Sequence, residues 1–127
     1  MAQGGFPLRG TLHDTVCHDL LMVGTGATVP TVVADSGRGV TLTDQGTGIT
    51  RISFNEVPGT FIGAEASIQA TTMTAVLGYQ VIFGAFTAKS GSTDAYIDFT
   101  FTNAAGTAED LAVLEWVKAT VKFRVIT

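Results

Sequence analysis

The chain is poor in charge. Of its 127 residues, 14% are charged and 46% are hydrophobic, whereas an ordinary soluble domain is about 25% charged. A disordered chain lacks the apolar area that offsets the entropy of ordering, so this composition excludes one. Because so few charges cannot cover the surface of a small domain, we expect a partner to cover some of its apolar surface.

Cysteine, clustered basic residues and long apolar runs are also scarce. The single cysteine, Cys17, excludes an intrachain disulfide and fits folding in a reducing cytoplasm. No apolar run reaches the roughly 20 residues that cross a bilayer, and the amino terminus lacks a secretory signal, so we expect no membrane partner.

The net charge is −4, and only Lys118, Lys122 and Arg124 come close together, as the solvated face of a strand. Nucleic-acid binding, which needs basic residues gathered on one face, is therefore not expected.

Short alternating segments separated by turn residues make up most of the sequence. Fifteen glycines and many threonines punctuate the apolar runs, which is typical of strands. We predict about eight strands, at residues 15–23, 31–35, 39–44, 49–54, 61–70, 79–87, 96–103 and 116–126, with 39–54 as a hairpin. The predicted fold is all-β, an antiparallel two-sheet sandwich that is jelly-roll-like. Residues 1–10 are expected to be a flexible amino-terminal arm, and residues 11–127 a single β-sandwich domain.

Three local expectations follow from spacing. In 61–70 the alternation places Ile62 and Ile68 on the same inward face. The strand at 79–87 is apolar on both faces and must be covered twice, by the opposing sheet and, we expect, by a neighbouring subunit. One short helical turn is predicted at 107–114, where a threonine and an aspartate have the spacing of a capping box.

No set of reactive side chains predicts catalysis or a cofactor. His13, Cys17 and His18 are the only cluster of possible metal ligands. The two histidines fall on opposite faces of a strand, so at most two of the three residues can share a face, and two ligands are too few for a zinc site. Cys17 is expected to be a small buried residue. The glycine pairs lack the other residues of phosphate-binding loops, and no nucleophile-elbow sequence occurs. We therefore expect a protein that is not an enzyme, with no catalytic residue, metal or cofactor.

From residue 37 onward the chain has a specific pattern of turns and strands. The segment GRGVTLTDQGTGITRISF at 37–54 is similar to a G-x-G-x6-G-T-G hairpin of small structural proteins of tailed-phage virions, although Ile49 stands where an aromatic residue is common in that family. The closing segments, including GTAEDL at 106–111, are similar as well. The resemblance implies a capsid decoration or cement protein, often a trimer, made in the bacterial cytoplasm and located on the capsid surface. Its partner would be the major capsid protein.

Two segments are the predicted interface. One is the amino-terminal arm, at Gly4, Gly5, Phe6, Pro7 and Leu8, and the other is the strand apolar on both faces, at Tyr79, Val81, Phe83 and Phe86, which we expect to mediate self-association. The alternative function is a host-recognition or carbohydrate-binding module of a tail or head fibre. That function predicts exposed aromatic residues at loop tips, and the tips at 44–48 and 87–94 contain none.

Overall fold

The alternating segments form the strands of a two-sheet sandwich. A computed structural model describes residues 13–27, 29–35 and 39–126, so the predicted arm at 1–10 lies outside it. The described residues form eight strands: β1 His13–Val23, β2 Thr31–Asp35, β3 Val40–Gly46, β4 Ile49–Phe54, β5 Thr60–Ala70, β6 Gln80–Phe83, β7 Ala95–Thr102 and β8 Glu115–Ile126. One 3-10 turn occurs within the described ranges, at Met73–Val76 between β5 and β6. The all-β prediction is confirmed, and none of the described helical structure is long and apolar enough to span a membrane.

The strands are divided equally between two antiparallel sheets. The first sheet has the order β2-β1-β8-β5 and the second the order β3-β4-β7-β6. β5 and β6 follow one another in the chain, yet each is an edge strand of a different sheet. Their edges therefore form one open side of the sandwich, and β2 and β3 form the other.

The core is built from the inward rows of the central strands. In β7 and β8 the alternation is as predicted, and the buried residues are Ile97, Phe99, Phe101, Val117, Ala119, Val121 and Phe123. Phe123 joins the two sheets, because its ring lies 5.6 Å from that of Phe54 and 5.6 Å from that of Phe86, edge to face in both cases. Edge-to-face packing of this kind adds to the stabilisation from apolar burial.

The helical turn predicted at 107–114 is wrong. No helix forms in this segment: Ala108 makes an isolated β-bridge with Thr102, and the N–H of Glu109 donates to the carbonyl of Phe101 at 2.9 Å. The segment ends in a tight turn, where the N–H of Glu115 donates to the carbonyl of Ala112 at 3.1 Å. Asp110, expected in a helix cap, instead accepts the N–H of Gly48 on its Oδ1 at 2.7 Å. Because the carboxylate binds the distant β3–β4 turn, it is not available to the backbone of its own segment.

The start of β5 also differs from the prediction. Phe61 and Gly63 pair with consecutive residues of β8, so Ile62 is the extra residue of a β-bulge. Ile62 is exposed and Phe61 packs against the core, the reverse of what strict alternation predicts. Beyond the bulge, Ala64 and Ile68 pack inward as predicted.

We predict that Gly48→Ala destabilises the fold strongly. The φ of Gly48 is +72°, and a Cβ there would lie 2.5 Å from the backbone nitrogen of Glu109. Strain and overlap together should lower the free energy of unfolding by about 2 kcal/mol or more, measured by urea denaturation. Gly91→Ala is the matched control: its φ is +59° but its Cβ would meet nothing within 4 Å, so we expect a smaller loss, about 1 kcal/mol. An equal loss of unfolding free energy in the two variants would contradict the close contact between Gly48 and the backbone of Glu109.

Candidate functional site

Exposed apolar side chains are concentrated in the part of the chain that contains β5, β6 and the connection between them. Nine large hydrophobic side chains are exposed in the described ranges, and five of them lie within residues 57–86: Val57, Ile62, Met73, Leu77 and Ile82. Met73 is 73% exposed and Leu77 is 61% exposed. Single exposed apolar residues are common on protein surfaces, whereas a group of them marks an interaction site. We call the surface formed by residues 57–86 the β5–β6 side.

The β5–β6 side carries almost no charge. Residues 57–86 contain one charged side chain, Glu65. The carboxylate of Glu65 lies 2.6 Å from the Nζ of Lys122 on the neighbouring strand β8, and this contact raises the pKa of Lys122. The low charge of the whole chain is thus most pronounced where the apolar side chains are exposed.

Two grooves lie on this side, near opposite ends of β5. The Leu77 groove, of about 480 Å³, is next to the 3-10 turn and is lined by Ala66, Ile68, Met73, Val76, Leu77, Gly78, Tyr79, Gln80 and Val81. The Phe86 groove, of about 360 Å³, is at the other end and is lined by Val57, Gly59, Thr60, Phe61, Phe86, Ala88, Lys89 and Ala95.

Aromatic rings stiffen the Phe86 groove. The rings of Phe61 and Phe86 are stacked, with their centroids 4.9 Å apart and their planes 5° from parallel. Both rings also contact the buried ring of Phe123, at 6.1 and 5.6 Å. Because the rings are held by the core, the groove presents a preformed apolar surface.

Tyr79 is held in place beside the Leu77 groove. Its hydroxyl donates a hydrogen bond to Oε2 of Glu109 at 3.1 Å, and the amide of Asn103 donates to Oε1 at 3.1 Å. The ring of Tyr79 lies 5.4 Å from that of Phe101. The hydrogen bond to the carboxylate raises the pKa of Tyr79, because ionisation would remove the donor.

The predicted self-association residues lie on the β5–β6 side, but their side chains turn inward. The strand ends at Phe83, and the half-buried residues that pack against the core are Tyr79, Val81, Phe83 and Phe86. Ile82, on the opposite face of β6, is 54% exposed. Whether these residues mediate self-association stays a prediction, and so does the role of Gly4–Leu8, which lie outside the described residues.

Two of the possible metal ligands on β1, Cys17 and His18, lie on opposite faces of the strand. His18 is buried between the rings of Phe54 and Phe123, at 5.3 and 5.7 Å. Cys17 is exposed, so the expectation that it is buried is wrong. The inward row of β1 contains His18 and Leu20, which places Cys17 on the outer face. In the part of the chain that the structure describes, no three His, Cys, Asp or Glu side chains are grouped to hold a metal.

Charged side chains lie on the outer faces of the sheets. Arg51 donates from Nε and Nη2 to the two carboxylate oxygens of Asp98, at 2.8 and 3.1 Å. Its guanidinium lies 3.6 Å from the centre of the Tyr96 ring. The hydrogen bond to Asp98 raises the pKa of Arg51. On the first sheet, the basic residues of β8 form the solvated row that the sequence predicted.

Comparison of the chain with protein-family models, curated proteins and solved structures found no match. The features that bear on function are therefore the two grooves, the exposed side chains and the free edges of β5 and β6.

The sequence analysis did not identify Met73 and Leu77 as functional residues. The segment 71–78 could have indicated them, because it has three large apolar residues but no strand alternation. Without a strand in this segment, there is no sheet face to bury those side chains.

We predict that Glu109→Gln lowers the pKa of Tyr79 toward its ordinary value, because the variant removes the negative charge beside the hydroxyl. The chain has two tyrosines, so a Tyr96→Phe background leaves Tyr79 as the only one, and ultraviolet absorbance then follows its ionisation. Since the folded-state pKa is raised, the hydrogen bond stabilises the fold fully below about pH 10. That contribution is lost as the pH rises through the folded-state pKa.

Asp110→Asn is the matched control for this titration. Asp110 bonds to Gly48 and not to Tyr79, so this variant should leave the titration of Tyr79 unchanged. Identical titrations for the Glu109 variant and its parent would show that Glu109 does not hold the hydroxyl.

Proposed function

We propose that the chain is a virion structural protein that binds and stabilises a phage capsid through protein–protein contacts, as a cement or decoration protein. The observation that carries this proposal is the nearly uncharged β5–β6 side, with its exposed apolar side chains and two grooves. The resemblance of the region from residue 37 onward supplies the class of partner, the major capsid protein. In this proposal the protein is made in the bacterial cytoplasm and is located on the capsid surface.

A cement or decoration protein acts by binding to the subunits of the capsid. Apolar surface removed from water contributes about 25 cal/mol per Å², and the exposed side chains of Met73 and Leu77, which line one groove, are placed to lose contact with water when a partner binds. A protein that contacts two neighbouring capsid subunits binds the assembled shell and not the separated subunits. Binding one state only shifts the equilibrium toward that state, so the shell is stabilised.

The carbohydrate-binding alternative has less support. A sugar-binding platform offers an exposed aromatic ring, and the nine exposed large apolar side chains in the described ranges are all aliphatic. One face of the Tyr96 ring is covered by the guanidinium of Arg51. Phe61 and Phe86 are half-buried and stack on each other.

The experiment is co-sedimentation of the purified chain with empty capsids of the phage that encodes it. The wild-type chain is expected to sediment with the capsids. The double variant Met73→Asp, Leu77→Asp should bind at least roughly tenfold more weakly, because it places carboxylates in an apolar contact. Val33→Asp on β2 is the matched control, because Val33 is 55% exposed on the opposite side of the sandwich.

A glycan array read in parallel separates the two functions. Absence of the wild-type chain from the capsid pellet would overturn the proposal. Selective glycan binding together with that absence would establish the recognition module instead.

A further inference from the structure

The free edge of β5 is the longest unpaired strand edge in the described part of the chain. β5 has 11 residues, whereas the other edge strands, β2, β3 and β6, have 5, 7 and 4. It pairs with β8 alone. Proline and charge are the usual protection of an edge against pairing. From Gly63 to Ala70 there is no proline, and the one charge, on Glu65, is paired with Lys122 of the same sheet.

The backbone of β5 shows which groups are free to pair. Thr71, directly after the strand, donates its N–H to the carbonyl of Leu114 in the register of β5 with β8. Because hydrogen-bonded residues alternate along an antiparallel ladder, the odd-numbered residues of β5 that follow the bulge, from Gly63 onward, bond to β8. The N–H and C=O groups of Ala64, Ala66 and Ile68 therefore point to the free edge.

The two ends of the β5–β6 side are complementary in shape. Met73 and Leu77 protrude near the carboxyl end of β5, and the apolar Phe86 groove lies at the amino end. A two-fold axis through the free edge of β5 reverses the strand direction. The protruding end of one copy then meets the groove of the other, and this happens twice.

The register that fits this arrangement is centred on Ala66. In this register Gly63 of one copy lies opposite Gln69 of the other. The chain that leaves β5 in one copy, which carries Met73, therefore continues toward the chain that enters β5 in the other, which lines the Phe86 groove. In the same register Ala64 lies opposite Ile68, a small side chain against a large one. Two Glu65 carboxylates directly opposite each other would destabilise the pairing. This register avoids that contact, because Glu65 lies opposite a serine.

We propose that a second copy of this chain occupies the β5–β6 side, through antiparallel pairing of the two β5 edges with Met73 and Leu77 of each copy in the Phe86 groove of the other. The contact is isologous and closes as a dimer. The dimer rests on the proposed function in one respect: the second copy takes the β5–β6 side, so the capsid is bound by the remaining surfaces of the dimer. The Met73→Asp, Leu77→Asp variant then binds capsids more weakly because it loses the second copy. A dimer presents each remaining surface twice, which suits a clamp between neighbouring capsid subunits and strengthens binding by avidity.

The test is a disulfide that only two copies can form. In a Cys17→Ser background, Met73→Cys is combined with Val57→Cys, two positions at opposite ends of β5. The 11 residues of this strand span roughly 36 Å, and a disulfide needs Cα atoms within about 7 Å. Under mild oxidation we expect a covalent dimer on a non-reducing gel. The control pair, Met73→Cys with Val33→Cys, is expected to stay uncross-linked.

Sedimentation equilibrium gives the state of the unmodified chain, and twice the chain mass of 13.2 kDa is expected. Met73→Asp should raise the dimer dissociation constant roughly 30-fold or more, and Val33→Asp should leave it unchanged. A monomer at high micromolar concentration would overturn the dimer, as would occupation of the groove by residues 1–12 of the same chain. So would the trimer that the family resemblance implies, or a dimer without the cross-link.

Failure of this inference is distinguishable from failure of the proposed function. A monomer that still sediments with capsids would leave the cement function standing and remove the dimer. A cross-linked dimer that does not sediment with capsids would establish the dimer and remove the cement function.

Discussion

The pairing of β1 with β8 is the interaction on which the rest of the structure depends. These are strands of 11 and 12 residues from opposite ends of the described chain, and they pair from His13 with Ile126 to Val23 with Trp116. Because they occupy the middle of the first sheet, β2 and β5 can only be its edges. The open side between β5 and β6 is thus a consequence of topology. Contacts between residues so distant in sequence make folding slow compared with that of a chain of local contacts.

Alternation in the sequence predicts the central strands well and the connections poorly. β7 and β8 each bury one complete row of side chains, so a period of two is a sufficient signal for them. It fails where a single residue interrupts the period, as Ile62 does in β5, since nothing local marks a bulge. It also fails at 107–114, because the decisive partner of Asp110 is Gly48, 62 positions away. A capping motif indicates which groups a side chain is able to bind. The fold determines which of those groups lie near it.

The candidate site was predictable only in part. The segment 79–87 was predicted to mediate self-association because its apolar content exceeds what one sheet face can bury, and it lies on the side of the sandwich that carries the proposed interface. Its side chains alternate, with Tyr79 and Phe83 turned to the core and Ile82 turned away, and the choice of the core-facing residues for self-association stays a prediction. Met73 and Leu77 were missed because they lie in a connection. Their exposure follows from the crossing between sheets at the open side, which no periodicity describes.

The β-bulge at Ile62 limits how far a strand can be added to the edge of β5. A bulge increases the local twist and interrupts the ladder, so only the stretch from Gly63 to Ala70 is straight enough to accept a neighbour. In the proposed dimer that stretch is filled, and the sheet then has no comparable edge left, because β2 at its other end has 5 residues. Adding further chains at exposed edges is the route by which strands become amyloid-like fibres. The bulge at one edge and the shortness of the other leave little unpaired backbone from which such growth could start, in a chain with few charges to keep its copies apart.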